Sequence, residues 1–283
     1  CPNEFGTMAN KGCPEKGRPI HTLETIRPHV MPKPSFNGNV GYGGGAPDFS
    51  LRQTSSATSS FVLDEDWLDA NGFQLPQYEV PNARRNTTGN LPAQVPKSYM
   101  GAPVTRGIFA DDYQVFIYGV DLSSSRYMVI TDRNANNILH FIDFNNYGNA
   151  PSVKPGDEDY VFEGIRWAVV ENDVLYVSHF HKTYASSTYG KNGYITAIDL
   201  GNYEVLWRSQ PLVCNAYNFQ VIGNCVVTGY GFTAEKDYLY QLNKQTGAVV
   251  KKTYVKTGPS YIFKRGNKLY VRTYSEDYEF VIE

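Results

Sequence analysis

From Tyr194 to Leu200 apolar and polar side chains alternate with a period of two, the chain turns at Gly201-Asn202, and the alternation resumes from Tyr203 to Trp207. Such alternation gives an extended segment one apolar face, so each half predicts a half-buried strand and the whole a hairpin. Residues 237–253 repeat the order, with a polar turn ending at Gly247. Ahead of each hairpin lie two more strand-like runs: 164–170 and 173–177 before the first, 216–222 and 225–230 before the second, parted by the turns Glu171-Asn172 and Gly223-Asn224. Four antiparallel strands recurring at roughly 45 residues are the pattern of a propeller blade.

Two flanking copies are less complete. Residues 114–119, 126–130 and 138–144 supply three strands upstream, and 261–264, 268–272 and 278–282 supply three downstream before the chain stops. The last blade therefore lacks its outer strand. Propellers commonly close by borrowing a strand from the other end of the chain, which leaves no edge exposed. A segment before Gln114 is expected to fill that place: residues 102–109 are nearest in sequence, and a strand from farther back is the alternative.

The stretches GYITAIDLGNYEVLW (193–207) and DYLYQLNKQTGAVV (237–250) resemble the PQQ-like, quinoprotein-type propeller repeat. In that repeat a strand ending in apolar-Asp-apolar is followed by a Thr-Gly turn and a strand that often closes on Trp. The resemblance spans roughly residues 105–283 and implies an all-β fold, a β-propeller of about four to five four-stranded antiparallel blades. It also implies, for the enzymes of that group, a quinone held by a disulfide between adjacent cysteines, a tryptophan platform and calcium. This chain has no Cys-Cys pair, so the expectation is the non-enzymatic branch with no cofactor.

The first hundred residues differ in character and form a long irregular N-terminal arm (1–100) ahead of the propeller (101–283). Prolines are dense, Gly41 to Gly45 is glycine-rich, Thr54 to Ser60 is mostly hydroxylated and Asn82 to Asn90 is polar. Such composition cannot bury a core of its own and must lie on another surface, either the propeller or a neighbouring molecule. A short helical piece at Leu63 to Leu68, acidic in its first turn, carries apolar residues that can dock on a blade.

Composition agrees with this layout, since 22 Tyr and 15 Phe favour strands. A net charge of -2 supplies no basic field for nucleic acid, and no apolar run approaches the ~18 residues of a helical membrane span. Four cysteines (Cys1, Cys13, Cys214 and Cys225) are disulfide candidates. If Gly223-Asn224 is a hairpin turn, Cys225 faces Ile222 and Cys214 lies ~26 Å away along the strand, too far for a direct bridge. Cys1 with Cys13, an arm cysteine with Cys214, or four reduced thiols remain. A mature chain beginning at cysteine is what processing leaves on a bacterial lipoprotein, lipidated at Cys1, and trimming of an ordinary secreted protein gives the same start. Either way the protein is expected to be extracytoplasmic, secreted or at the cell surface or periplasm. Asn86-Thr87-Thr88 is a glycosylation sequon that matters only in a eukaryotic secretory route.

Three constellations carry candidate chemistry. His179 and His181, two apart on a strand, have the spacing of a zinc or copper chelate, or are surface histidines beside the 182–192 loop. Asp132, Asn134 and Asn136, with Asp143 in the twelfth place, imitate a calcium loop, although Asn137 stands where glycine is usual and the segment already reads as a turn. The carboxylates Asp111-Asp112 and Asp157-Glu158-Asp159 fit acid/base chemistry or solvated loops. Three functions follow: a non-enzymatic protein-binding or scaffold propeller, a structural subunit of an extracellular assembly whose arm contacts neighbouring copies, or a metal-dependent or glycan-acting enzyme.

Overall fold

The computed structural model describes residues 17–73, 77–79, 91–110, 112–119, 125–148, 154–157, 161–181, 188–232 and 235–283. Cys1, Cys13, the Asn86 sequon, Asp111, Glu158 and Asp159 lie outside them. Numbered along the chain, the arm supplies β1 (Arg18–Pro19), β2 (His29–Val30), β3 (Leu51–Thr58), helix α1 (Asp64–Ala70), β4 (Gln77–Glu79) and β5 (Ser98–Tyr99). Next come β6 (Ala102–Phe109), β7 (Tyr113–Gly119), β8 (Ser125–Asp132) and β9 (Asn137–Asp143). Then follow β10 (Gly164–Glu171), β11 (Val174–Phe180), β12 (Tyr194–Asp199) and β13 (Val205–Arg208). The chain ends with β14 (Gln220–Ile222), β15 (Cys225–Tyr230), β16 (Asp237–Asn243), β17 (Val249–Val255), β18 (Pro259–Arg265), β19 (Lys268–Thr273) and β20 (Glu276–Ile282). The fold is all-β and of propeller class, with blade-like antiparallel meanders and an irregular arm.

Two compact units divide the chain, one of residues up to 33, 75–148 and 199–204, the other of 34–74, 149–198 and 205–283. In the first, β6 to β9 form a meander bordered by β1 and β2 on β9 and by β4 and β5 on β6. Residues 102–109 are thus the opening strand of this blade rather than the closing strand of the last one. Its core joins Phe116, Tyr118, Val129 and Phe141 to Ile20 and Leu23 from the 3-10 turn of the arm.

The second unit holds three four-stranded sheets, β10-β11-β12-β13, β14-β15-β16-β17 and β18-β19-β20-β3. The last is completed by the arm: β3 pairs antiparallel with β20 from Leu51↔Ile282 to Thr58↔Glu276. Helix α1 and the turn after it then seat Trp67 and Phe73 on Phe263, with ring centroids 6.1 and 4.6 Å apart, while Arg272 is anchored by Asp64 and Asp277 at 3.1 and 3.0 Å. The intervening arm touches the other two sheets of the unit. Asn39 bridges Arg208, the Gly41 N–H donates to the Thr246 carbonyl, and the Asp48 carboxylate accepts from the Asn224 N–H. Sheet meets sheet through Trp207, whose indole N–H donates to the Lys244 carbonyl at 3.0 Å. Its ring lies over Gly247 (φ 71°), where a Cβ would come within 2.4 Å, so the turn needs glycine both for its left-handed backbone and for this contact.

Candidate functional site

The three second strands of the second unit, β11, β15 and β19, end at Phe180, Tyr230 and Thr273, and the residues following them come together. His181, Gly231 with Phe232, and Tyr274 line one cavity of about 630 Å³, together with Phe180, Asp237 and the connections entering β14 (Asn215, Tyr217) and β18 (Thr257 to Ser260). That volume lies within the usual ligand-pocket range of ~300–1,000 Å³.

Local hydrogen bonds hold this wall. Asn215 Nδ2 donates to the Gly231 carbonyl at 2.7 Å, and the Gly231 N–H returns a bond to Asn215 Oδ1 at 3.3 Å. Tyr217 is fixed by its N–H to the Ser260 carbonyl at 2.8 Å and by stacking on Tyr261, 5.1 Å between centroids. Thr257 and Thr273 share a hydroxyl contact at 2.7 Å, and the Tyr274 N–H donates to Gly258. Gly231 permits the carboxylate to approach, since a Cβ there would lie 2.0 Å from Asp237 Oδ1. Tyr274 stands out from this frame with its side chain 83% exposed.

The charged groups of the cavity are set by burial. Asp237 is 8% exposed, and its carboxyl is pushed up to about 6, first by burial and then by the Glu235 carboxylate, against a hydrogen bond from the Phe232 N–H. Asp237 Oδ1 is buried and has no hydrogen-bond partner among the described residues. His181 moves the other way, to about 4, through burial and then the charge of Arg166, so it is a neutral imidazole at physiological pH. Its Nε2 lies 3.1 Å from Thr188 Oγ1, and its N–H donates to Asn192 Oδ1 at 3.0 Å. Arg166 itself sits 4.6 Å over the Phe180 ring.

Both histidines are buried, at 0% and 2% exposure, which corrects the expectation of surface imidazoles beside the 182–192 loop. His181 reaches the cavity. His179 belongs instead to the interior of its sheet, opposite Ile165, where burial and then the charge of Arg208 hold it well below its ordinary value. Arg208 is fully buried, paired with Glu163 at 2.8 Å and lying 3.8 Å over the Tyr194 ring. No group of three potential ligands is assembled around either histidine among the described residues.

The calcium-loop candidates form a turn. Asp132 accepts from the Asn136 N–H and from Asn137 Nδ2 at 2.8 and 2.6 Å, the Asn134 carbonyl accepts from Gln94, and Asp143 is held in a two-pronged pair by Arg126. Asp132 and Asp143 are thus engaged within the β8–β9 hairpin, and the Asn134 carbonyl by Gln94 ahead of β6. The pairings that involve Cys1 or Cys13 lie outside the described residues, and Cys214 and Cys225 are buried thiols that are not bridged to each other. Burial raises them to about 12 and about 11. Cys225 pairs with Ile222 across the Gly223-Asn224 turn, as the pattern required.

Sequence reasoning passed over Asp237, Asn215 and Tyr274. The available signal was the glycine pair Gly229 and Gly231 closing a strand just before two acidic residues, Glu235 and Asp237, in the best-formed repeat.

No protein-family model matches the chain, and no curated protein does. Among solved structures, the computationally designed Ika4 protein is similar at 10% identity and a TM-score of 0.36, covering 59% of this chain and 82% of its own. BamB from Moraxella catarrhalis is similar at 9% identity and a TM-score of 0.27, covering 82% of this chain and all of its own. At those scores neither likeness bears on function, and the propeller assignment rests on the four-stranded sheets themselves.

Proposed function

We propose that this chain is an extracytoplasmic, non-enzymatic propeller of the PQQ-like repeat type that binds a protein partner. The observation that carries the reading is the cavity at the ends of β11, β15 and β19: its rim presents the exposed Tyr274 ring beside aromatic walls and polar groups fixed by backbone bonds. Exposed aromatics on a rigid frame are the usual anchors of a protein interface. The repeat assignment is supported by the Trp207 ring locked over Gly247 in the Thr-Gly turn of the next sheet. No cofactor is required. A photo-crosslinking amino acid at Tyr274 in the native host should give one discrete protein adduct, absent when the same group is placed at Tyr254 on β17. Equal labelling at both positions would reject the reading.

A second reading, in which the arm joins neighbouring copies, is favoured by Tyr42 and Val62, whose side chains stand 104% and 92% exposed on the strap between β2 and α1. Light scattering on a Tyr42→Ser, Val62→Ser chain separates the two: loss of an oligomer supports assembly, and an unchanged mass supports partner binding. Removing the whole arm would not discriminate, because it also takes β3 from the last sheet.

A further inference from the structure

The cavity holds an electrostatic imbalance. Asp237 is more than nine-tenths buried in its wall, one carboxylate oxygen has no hydrogen-bond partner among the described residues, and the influences on it are burial, the neighbouring Glu235 carboxylate and the Phe232 N–H. Its charge pushes up the Tyr230 and Tyr240 phenols on β15 and β16, the neighbouring Lys236 is exposed, and no basic group is among the influences on the Asp237 carboxyl. His181 in the cavity wall is neutral, and Arg166, which lies over the Phe180 ring, acts on His181 and is not among the influences on Asp237. A buried carboxylate without a cation is costly, and a hollow lined by aromatic residues lowers the cost of bringing one in.

We propose that the cavity receives a basic side chain, lysine or arginine, displayed by the protein partner, with Asp237 as its counter-charge and the rings of Tyr217, Phe232 and Tyr274 as its walls. The inference rests on the protein-binding reading above and adds the chemistry of what is bound. Charge complementarity selects this occupant: an apolar residue would fill the aromatic walls but leave Asp237 unanswered, and an acidic one would add a third negative group beside Asp237 and Glu235. The rings accept either an ammonium or a guanidinium on their faces. Asn215, Thr257 and Ser260 also line the cavity and bring polar oxygens to it.

The test uses the full chain and three capped tripeptides, Gly-Lys-Gly, Gly-Arg-Gly and Gly-norleucine-Gly, measured by calorimetry. One or both basic peptides should bind at least about tenfold more tightly than the norleucine peptide, which keeps lysine's four-carbon chain without its ammonium group. Asp237→Asn should erase that difference, provided its circular dichroism is that of the parent. In the unmodified protein, carboxyl NMR gives an independent check: a bound basic peptide should lower the Asp237 titration midpoint, and norleucine should not. Equal binding of charged and uncharged peptides, or failure of both basic peptides to bind, overturns the proposal. Either result leaves the cross-linking at Tyr274 to decide protein binding separately.

Discussion

Two sheets of the second unit are built alike and assembled differently. The sheet β14-β15-β16-β17 comes from one run of chain, residues 220–255, and its turns are made locally: Asn243 Oδ1 accepts from the N–H groups of Gln245 and Thr246, and Gly247 closes the loop. The sheet β18-β19-β20 has the same form but takes its fourth strand from residues 51–58. The borrowed strand is nearly bare of packing, since Leu51 is its one buried side chain and the next seven residues are exposed. Backbone pairing to β20 therefore holds it, with hydroxyl help such as Thr54 to the Glu279 carbonyl. Loop closure grows only slowly with length, about 0.6 kcal/mol per doubling, so distance along the chain is not what prevents such a strand from docking. A contiguous sheet needs alternating apolar residues to specify its register, whereas an edge strand laid on a finished sheet can be polar.

The largest effect expected from this comparison comes from removing the borrowed strand. Deleting residues 51–58 leaves the full edge of β20 unpaired, which invites self-association through strand addition. Hydrogen exchange should show β20 losing protection along its whole length while β15 and β16 keep theirs. Equal loss in both sheets would mean that the strap supports the whole unit and that the two sheets do not differ in the way described.

The contiguous sheet has its own dependency, on the sheet before it. Trp207 is 1% exposed and joins β13 to the β16–β17 turn through its indole N–H and its contact with Gly247. Trp207→Ala is expected to cost ~3–5 kcal/mol in urea unfolding, the usual range for a large buried aromatic. A cost below about 1 kcal/mol would show that the turn stands without it.

What the sequence revealed follows the same division. Strands buried along most of their length, such as β7, β12, β15 and β16, are runs of apolar and aromatic residues bounded by turn residues, and were legible with nearly their observed bounds. Docking of α1 through Trp67 was legible too, from its acidic first turn and apolar pair. The outer strand β3 was not: seven exposed Ser, Thr, Gln, Arg and Ala residues give no alternation, and their composition imitates a linker. Strand β14 is shorter than residues 216–222 suggest, because Asn218 leaves the ladder to bond the Ile262 backbone, and the chain before it turns toward the cavity. The cavity itself was hidden because its lining comes from the ends of three strands roughly 45 residues apart, none of which forms a motif alone. His181 stood out in the sequence as a ligand type, whereas its burial and neutrality depend on neighbours that only the fold supplies.

A smaller effect separates the cavity from the sheets around it, and it is a dependence on pH. Asp237 has its pKa raised from 3.8 to about 6, so the folded chain keeps a proton that the unfolded chain releases. Its contribution is fullest below about pH 4 and is lost as pH rises toward about 6. His181 has its pKa lowered from 6.5 to about 4, so its contribution is present above about pH 6.5 and is lost as pH falls toward about 4. The two slopes oppose each other in one window and hide in the parent protein. Thermal melts of single variants should expose them. Asp237→Asn should gain stability relative to the parent at about pH 7.5 and not at about pH 4, while His181→Asn should weaken the loss on the acid side. A parallel pH curve for Asp237→Asn would place its carboxyl in ordinary solvent and remove the imbalance on which cation binding depends.

The smallest effect tests what fastens the borrowed strand. Arg52 Nε lies 2.5 Å from Glu283 Oε1, joining β3 to the end of the chain beside β20. The pair looks like a clasp, but its side chains are 57% and 47% exposed, and solvent screens exposed pairs to ~0–1 kcal/mol. Paired backbone groups along β20 and the buried Leu51 remain when it is removed. Arg52→Ala should therefore shift the urea midpoint only slightly, and that shift should shrink further as salt shortens the reach of charge to a few ångströms. A loss above about 1.5 kcal/mol that salt reproduces in the parent would show that charge, and not the ladder, holds β3 in place. The polar composition of the strand would then be part of its attachment, and the contrast with the contiguous sheet would be one of charge rather than of assembly.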